Sequence, residues 1–157
     1  MDALILTVIL TSIPLILAAT GELIAERSGV LNLGVEGMML MGAVAAFAIT
    51  SLSGNPYFGI IAAAAAGAMT AAIFAVFTLA LATNQVATGL ALTIFGTGLS
   101  GLVGAPFVGG TVDGLQAVSI PVLSDLPVLG GLLFQLDHLA YGAFVMLALV
   151  AWFLNKS

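Results

Sequence analysis

The chain has 157 residues, 62% of them apolar and 6% charged, with a formal net charge of −5. A soluble domain usually carries about 25% charge; Asp2, Glu22, Glu26, Arg27, Glu36, Asp113, Asp125, Asp137 and Lys156 are too few to cover a water-facing surface of this size, so lipid must be the solvent for most of it. One Arg and one Lys leave no electrostatic footprint for nucleic acid, and the absence of Cys beside a single His138 excludes disulfides, thiolate chemistry and Cys- or His-rich metal sites.

A crossing helix needs about 20 mostly apolar residues, at about 1.5 Å each, to traverse about 30 Å of hydrocarbon. The first candidate is Ala3 to Thr20, with Pro14 inside it as an expected kink. A secretory leader opens on basic residues, and here no base precedes Arg27. Ala18-Ala19-Thr20 is small enough for a cleavage site, yet a polytopic remainder needs no leader, so this span is expected to be retained. Gly21 to Asn32 then reads as a connection, with Glu22, Glu26 and Arg27 around Leu23-Ile24-Ala25 as a short amphipathic turn at the interface. Glu22 and Glu26 read as a solvated loop face rather than an acid–base pair, because nothing encloses them.

The second span runs from about Leu33 to Leu52 and contains Glu36. Ser53-Gly54-Asn55-Pro56 is a plain turn signal. The third span, Gly59 to Thr83, is Ala-rich, and Asn84-Gln85 makes a very tight connection to the fourth, Val86 to Ala105. Pro106 to His138 is a long connection with three aspartates, and its stretch Leu126 to Leu136 is apolar enough to rest on the membrane edge. The fifth span is Leu139 to Leu154. The whole chain, 1–157, is therefore expected to be one all-α, polytopic transmembrane helix bundle of about five spans. Positive charge stays cytoplasmic, which puts Arg27 and Lys156 inside; four spans separate them, so the two agree, and the N-terminus falls outside.

Helices in lipid associate through small residues at a spacing of four. Gly89, Thr93, Thr97 and Gly101 offer that register in the fourth span, and Gly67, Ala71 and Ala75 in the third; Ala-rich helices also give such spacings by chance. Glu36 is the more pointed signal, since a carboxylate within a span costs roughly 2.5–3.5 kcal/mol and normally faces a helix-bundle interior or water. It stands in Asn32-Leu33-Gly34-Val35-Glu36-Gly37, where two glycines permit close approach or a helix break of the kind that builds transport sites. The other reading puts Glu36 one turn inside the cytoplasmic boundary, reaching for headgroups. Gly98-Leu99-Ser100-Gly101 matches the GxSG pattern of rhomboid-type intramembrane serine proteases, with His138 as the base. Nucleophilic catalysis would need His138 within hydrogen-bond reach of Ser100, and His138 fits better as a residue of the interface or loop.

At Gly21 to Gly42 the chain reads GELIAERSGVLNLGVEGMMLMG, which resembles the signature region of the branched-chain amino acid, ribose and nucleoside class of ABC permeases. It looks closest to the nucleoside or simple-sugar subgroup. Asn84 to Leu92, NQVATGLAL, is similar to that subgroup's NQVVxGLAL segment. Ile120 to Gly130, IPVLSDLPVLG, resembles its outer-loop pattern, and Trp152-Phe153-Leu154 resembles the helix entering the cytoplasmic coupling loop. The resemblance covers nearly the whole chain. Members of the class are about twice as long, and their GENPxAAxxAGI-like ATPase-docking loop is missing here, so the chain is expected to be the N-terminal half of a larger permease. Its early start looks like the shorter of two paired permeases.

The resemblance implies an importer in the inner membrane. A second permease completes the pathway, two cytoplasmic ABC ATPases consume the ATP, and an external binding protein or lipoprotein delivers a nucleoside or simple sugar. The permease itself would be no enzyme and need no cofactor. By position, Asn32, Glu36, Gln85, Thr88 and Thr93 are candidates for the polar lining of the pathway; no motif carries a substrate contact to them. Two other functions compete with this one: a small proton-coupled transporter, in which Glu36 would alternately take a proton and substrate, and the protease.

Overall fold

The computed structural model describes residues 2–118 and 136–156, and their regular structure is all helical. Five long helices follow one another: α1 (Asp2–Arg27), α2 (Val35–Ser53), α3 (Pro56–Ala75, prolonged by a π-helical turn, Val76–Ala80), α4 (Gln85–Gly104, ending in a 3-10 turn, Ala105–Phe107) and α5 (His138–Lys156). Each is long and apolar enough to cross a membrane. The outer-loop pattern at 120–130 and most of the apolar stretch at 126–136 lie outside the described residues.

The first helix overturns one expectation. It does not stop at Thr20 but continues through Glu22 and Glu26 to Arg27, so Gly21 to Arg27 is helix rather than connection. Loss of hydropathy is not a helix stop; backbone chemistry supplies one at Gly29. There φ is +81°, the Gly29 N–H donates to the Glu26 carbonyl at 2.9 Å, and the Val30 N–H donates to the Ala25 carbonyl at 3.0 Å. That pair of bonds is a Schellman cap, whose left-handed residue is usually glycine. Gly29 has open space around it, so Gly29→Ala tests the backbone alone. The substitution should cost about 1–2 kcal/mol, read as a lower thermal unfolding midpoint in detergent; an unchanged midpoint would remove the cap from the account.

The polar side chains of these helices mostly bond to their own backbone, as lipid-embedded hydroxyls must. Thr11, Ser12, Thr20, Thr70 and Thr78 all donate to carbonyls one turn back. α1 also runs through Pro14, whose ring removes one ladder bond.

The chain divides into two units, residues 1–24 with 115–157, and residues 25–114. In the first, Ile13 of α1 packs with Leu136, Ala140 and Ala143, each at most 3% exposed. Alanine at two of these positions lets a helix surface come close without a bulky side chain between. Asp137 caps α5, its carboxylate accepting the Ala140 N–H at 2.8 Å, which satisfies one of the orphan donors of a helix start. At the other end of α5 the Lys156 ammonium lies 5.0 Å from the Trp152 ring, an aromatic–cation pair suited to a membrane–water interface.

In the second unit α2 is the central helix, packed along both α3 and α4. It runs antiparallel to α3: Gly42 meets Ala63, and Gly59 meets Ala46 and Thr50. It runs parallel to α4: Gly34 meets Gly89, Gly37 meets Gly96, and Val44 meets Gly104. The Phe47 and Phe107 rings close the far end edge to face, 6.2 Å apart.

The small-residue registers expected from spacing four are used only in part: Gly89 and Thr93 do meet α2, the rest do not. On α4 the buried positions are Gly89, Leu92 and Gly96, while Thr97 and Gly101 are exposed. On α3 they are Gly59, Ala66, Thr70 and Phe74; Gly67 has nothing within 4 Å and Ala71 is exposed. Nor does helix reach Thr83. α3 ends in its π turn, and Leu81 to Asn84 turns the chain with Ala82 at φ +50°.

Candidate functional site

Residues 28–34, between α1 and α2, are non-helical. Outside water, their backbone groups need partners from the protein itself, and α4 supplies two. The Gln85 side-chain carbonyl accepts the Leu31 N–H at 2.7 Å, and the Thr93 hydroxyl donates to the Leu33 carbonyl at 2.9 Å. A third bond is local: the Asn32 carboxamide oxygen accepts the Gly34 N–H at 2.9 Å, and its nitrogen points to the Met38 sulfur at 3.6 Å. Gln85 is the first residue of α4 and Thr93 stands roughly eight residues later, so the segment lies along about 12 Å of that helix at about 1.5 Å rise per residue.

Such a seat requires bare backbone on both sides. A Cβ on Gly89 would come within 2.8 Å of the Leu33 nitrogen and 2.9 Å of the Gly34 nitrogen. One on Gly37 would meet the Leu92 carbonyl oxygen at 2.6 Å and the Thr93 Cα at 2.8 Å, and one on Gly96 would meet the Gly37 Cα at 2.6 Å. Real Cβ atoms do not pack that closely, so glycine is the residue these crossings demand.

Glu36 follows directly. It is in the first turn of α2, beside Gly37 and so level with Thr93, and its side chain is exposed on this unit rather than turned into its packed interior. Because α2 starts level with Gly89 and Leu92, Glu36 stands about two helical turns beyond the first residue of α4.

Asn32, Gln85 and Thr93 are thus brought together around one stretch of backbone, with Glu36 at its end. Thr88 is elsewhere. Its hydroxyl pairs with that of Thr83 at 2.9 Å, and it borders an apolar groove of about 490 Å³ whose walls include Ile73, Phe74, Phe77, Leu92 and Phe95. Thr83 also bonds the last turn of α3, its amide and hydroxyl both donating to the Phe77 carbonyl. At this crossing Gly34 and Gly37 face Gly89 and Gly96; sequence reasoning singled out the first three and missed Gly96, for which the spacing of seven from Gly89 was the available signal. Ser100 spends its hydroxyl on the Thr97 carbonyl of its own helix at 3.0 Å, a structural use. Glu22 and Glu26 lie on α1, not on a loop.

The family model for the branched-chain amino acid transport system, permease component, matches residues 4–157. A protein of Haloferax volcanii, provisionally named a glucose ABC transporter permease, is 40% identical over 147 residues, which cover 91% of this chain and 45% of the relative. The guanosine ABC transporter permease of Bacillus subtilis is 30% identical over 152 residues, 90% of this chain and 48% of its own. The nucleoside ABC transporter permease of Lactococcus lactis is 26% identical over 163 residues, 98% and 51%. The chain spans about half the length of these relatives. No solved structure matches it significantly. These matches favour the permease reading over both the proton-coupled carrier and the protease.

Proposed function

The chain belongs to the family of the branched-chain amino acid transport system permease component, and from that premise we propose that it forms part of a membrane-spanning subunit of an ATP-driven importer. The observation that carries the reading is the hydrogen-bonded break at residues 28–34, after which α2 starts partway along α4 with Glu36 in its first turn. Irregular backbone at membrane depth is tolerated only where it is buried in protein or lines a water-filled cavity. A carboxylate there likewise needs water or a polar partner. A solute pathway beside the break meets both needs.

The solute would be a nucleoside or a simple sugar. Relatives named for glucose, guanosine and nucleosides support that class, whose shared chemistry is a neutral ring rich in hydroxyl donors. A carboxylate and side-chain amides are suitable acceptors for such donors. Of the polar candidates, Glu36, exposed in the first turn of α2, would face the pathway, and Thr88 borders the groove on the α3 side. In this reading a second permease subunit completes the pathway, cytoplasmic ABC ATPases hydrolyse the ATP, and an external binding protein or lipoprotein delivers the solute. The subunit itself makes and breaks no covalent bond and holds no cofactor. Arg27 and Lys156 would stand on the cytoplasmic side, with the N-terminus outside. Alternating access then follows from movement of the helices between two arrangements, each open to one side.

The full-length protein, expressed with its genomic neighbours, should copurify with an ATPase and a second permease. In proteoliposomes supplied with the binding protein it should give ATP-dependent uptake of guanosine or glucose. Recovery only as homo-oligomers, with neither solute accumulated, would sink the proposal.

A further inference from the structure

Of the five polar candidates, Asn32, Gln85 and Thr93 are engaged with backbone, Thr88 pairs with a side-chain hydroxyl, and Glu36 is exposed. The bonds of Gln85 and Thr93 go to the Leu31 N–H and the Leu33 carbonyl, two groups about one turn before Glu36, and both come from a single neighbouring helix. We infer that Gln85 and Thr93 are positioning residues: they splint the non-helical segment 28–34 to α4 and so set the depth and facing of Glu36. The inference rests on the pathway reading above for what Glu36 does, but not for how it is held.

Three features of the geometry support the splint. Both bonds come from α4, at its first residue and about two turns further along, so one rigid helix holds the segment at two points. The Asn32 turn stiffens the stretch between them by closing on Gly34. Beyond it, Gly34 and Gly37 bring α2 into direct backbone contact with Gly89, Leu92, Thr93 and Gly96. Packing so close leaves no room for the start of α2 to slide. Movement of α4 during a transport cycle would therefore carry Glu36 with it, and substrate contact by Gln85 or Thr93 is not needed to explain why they matter.

Backbone amide exchange of the full-length protein, in its assembled complex, tests this. Gln85→Met keeps the side chain's length and removes the acceptor; the Leu31 amide should then exchange about tenfold faster. Gln85→Glu keeps an acceptor oxygen and should restore protection. Amides in the middle of α4 should not change in either variant. Unaltered exchange at Leu31 in Gln85→Met, or a uniform rise throughout α4, would overturn the splint. A second readout uses the lack of native cysteine. The rate at which a membrane-impermeant methanethiosulfonate modifies Glu36→Cys should shift several-fold when Thr93→Val is added and return with Thr93→Ser. A constant rate across those backgrounds also counts against the splint. A Glu36→Cys chain that is never modified sinks the pathway reading instead, and the exchange data still decide the splint.

Discussion

Gly96→Ala should destabilise the protein by about 3 kcal/mol, the upper end of what overpacking costs, and Gly96→Leu should keep it from accumulating in the membrane. The new Cβ would lie 2.6–2.8 Å from Gly37 Cα, carbonyl carbon and oxygen. Those are backbone atoms, so no side chain can swing aside to relieve the contact; α2 and α4 must separate. Separation would also strain the Thr93–Leu33 bond, because both are pinned at the same crossing. Gly98, one residue pair further along α4, has nothing within 4 Å. Gly98→Ala should be neutral or stabilising, since alanine is the better helix former by about 1 kcal/mol. Thermal unfolding in detergent, with both variants side by side, separates the effects. Equal midpoints for the two variants would mean that α2 and α4 do not approach as closely as described.

Glu36→Gln should lower ATP-dependent uptake at least about tenfold while leaving the complex assembled, because hydrogen bonds to a charged partner are worth roughly 1.5–3 kcal/mol. Glutamine has the same shape and loses only the charge. It also relieves the cost of holding a carboxylate away from bulk water, so folding should not suffer. That opposition of signs distinguishes a pathway residue from a structural one. A merely structural carboxylate, bonded across an interface, would show the reverse: a drop in assembly and normal uptake by whatever complex forms. Uptake in proteoliposomes, normalised to the amount of bound ATPase, gives the measure. Wild-type uptake by Glu36→Gln would remove Glu36 from the pathway.

The helix ends illustrate how far local chemistry reaches. Asn55 and Asn84 cap α3 and α4, each accepting an N–H of the first turn, and both sit in the turn signals that the sequence displays. Asp137 does the same for α5. The end of α1 was misplaced because hydropathy fades at Glu22, seven residues before the glycine that turns the backbone. The stop signal is Ser28-Gly29, which apolar content does not mark. Thr83 was misplaced for a related reason: an apolar run continues past the point where the α3 backbone loosens into its π turn.

The candidate site divides similarly. Position singled out Asn32, Glu36, Gln85, Thr88 and Thr93, and for Glu36 the cost of a carboxylate within a span added a reason. Nothing in the spacing of residues 32, 85 and 93 announces that one segment joins them. Their meeting depends on α2 running parallel to α4 and starting partway along it.

By itself the sequence determined the solvent, the helical class and the five spans found among the described residues, since these follow from charge content and from runs of apolar residues measured against membrane thickness. Its long motif from Gly21 to Gly42 also carried the family. Only the tertiary structure decided which glycines meet and where Glu36 stands along α4. An Ala- and Gly-rich helix offers many registers for close approach that are equivalent one helix at a time. The choice among them is made when two backbones are seated against each other and every polar group between them must find a partner.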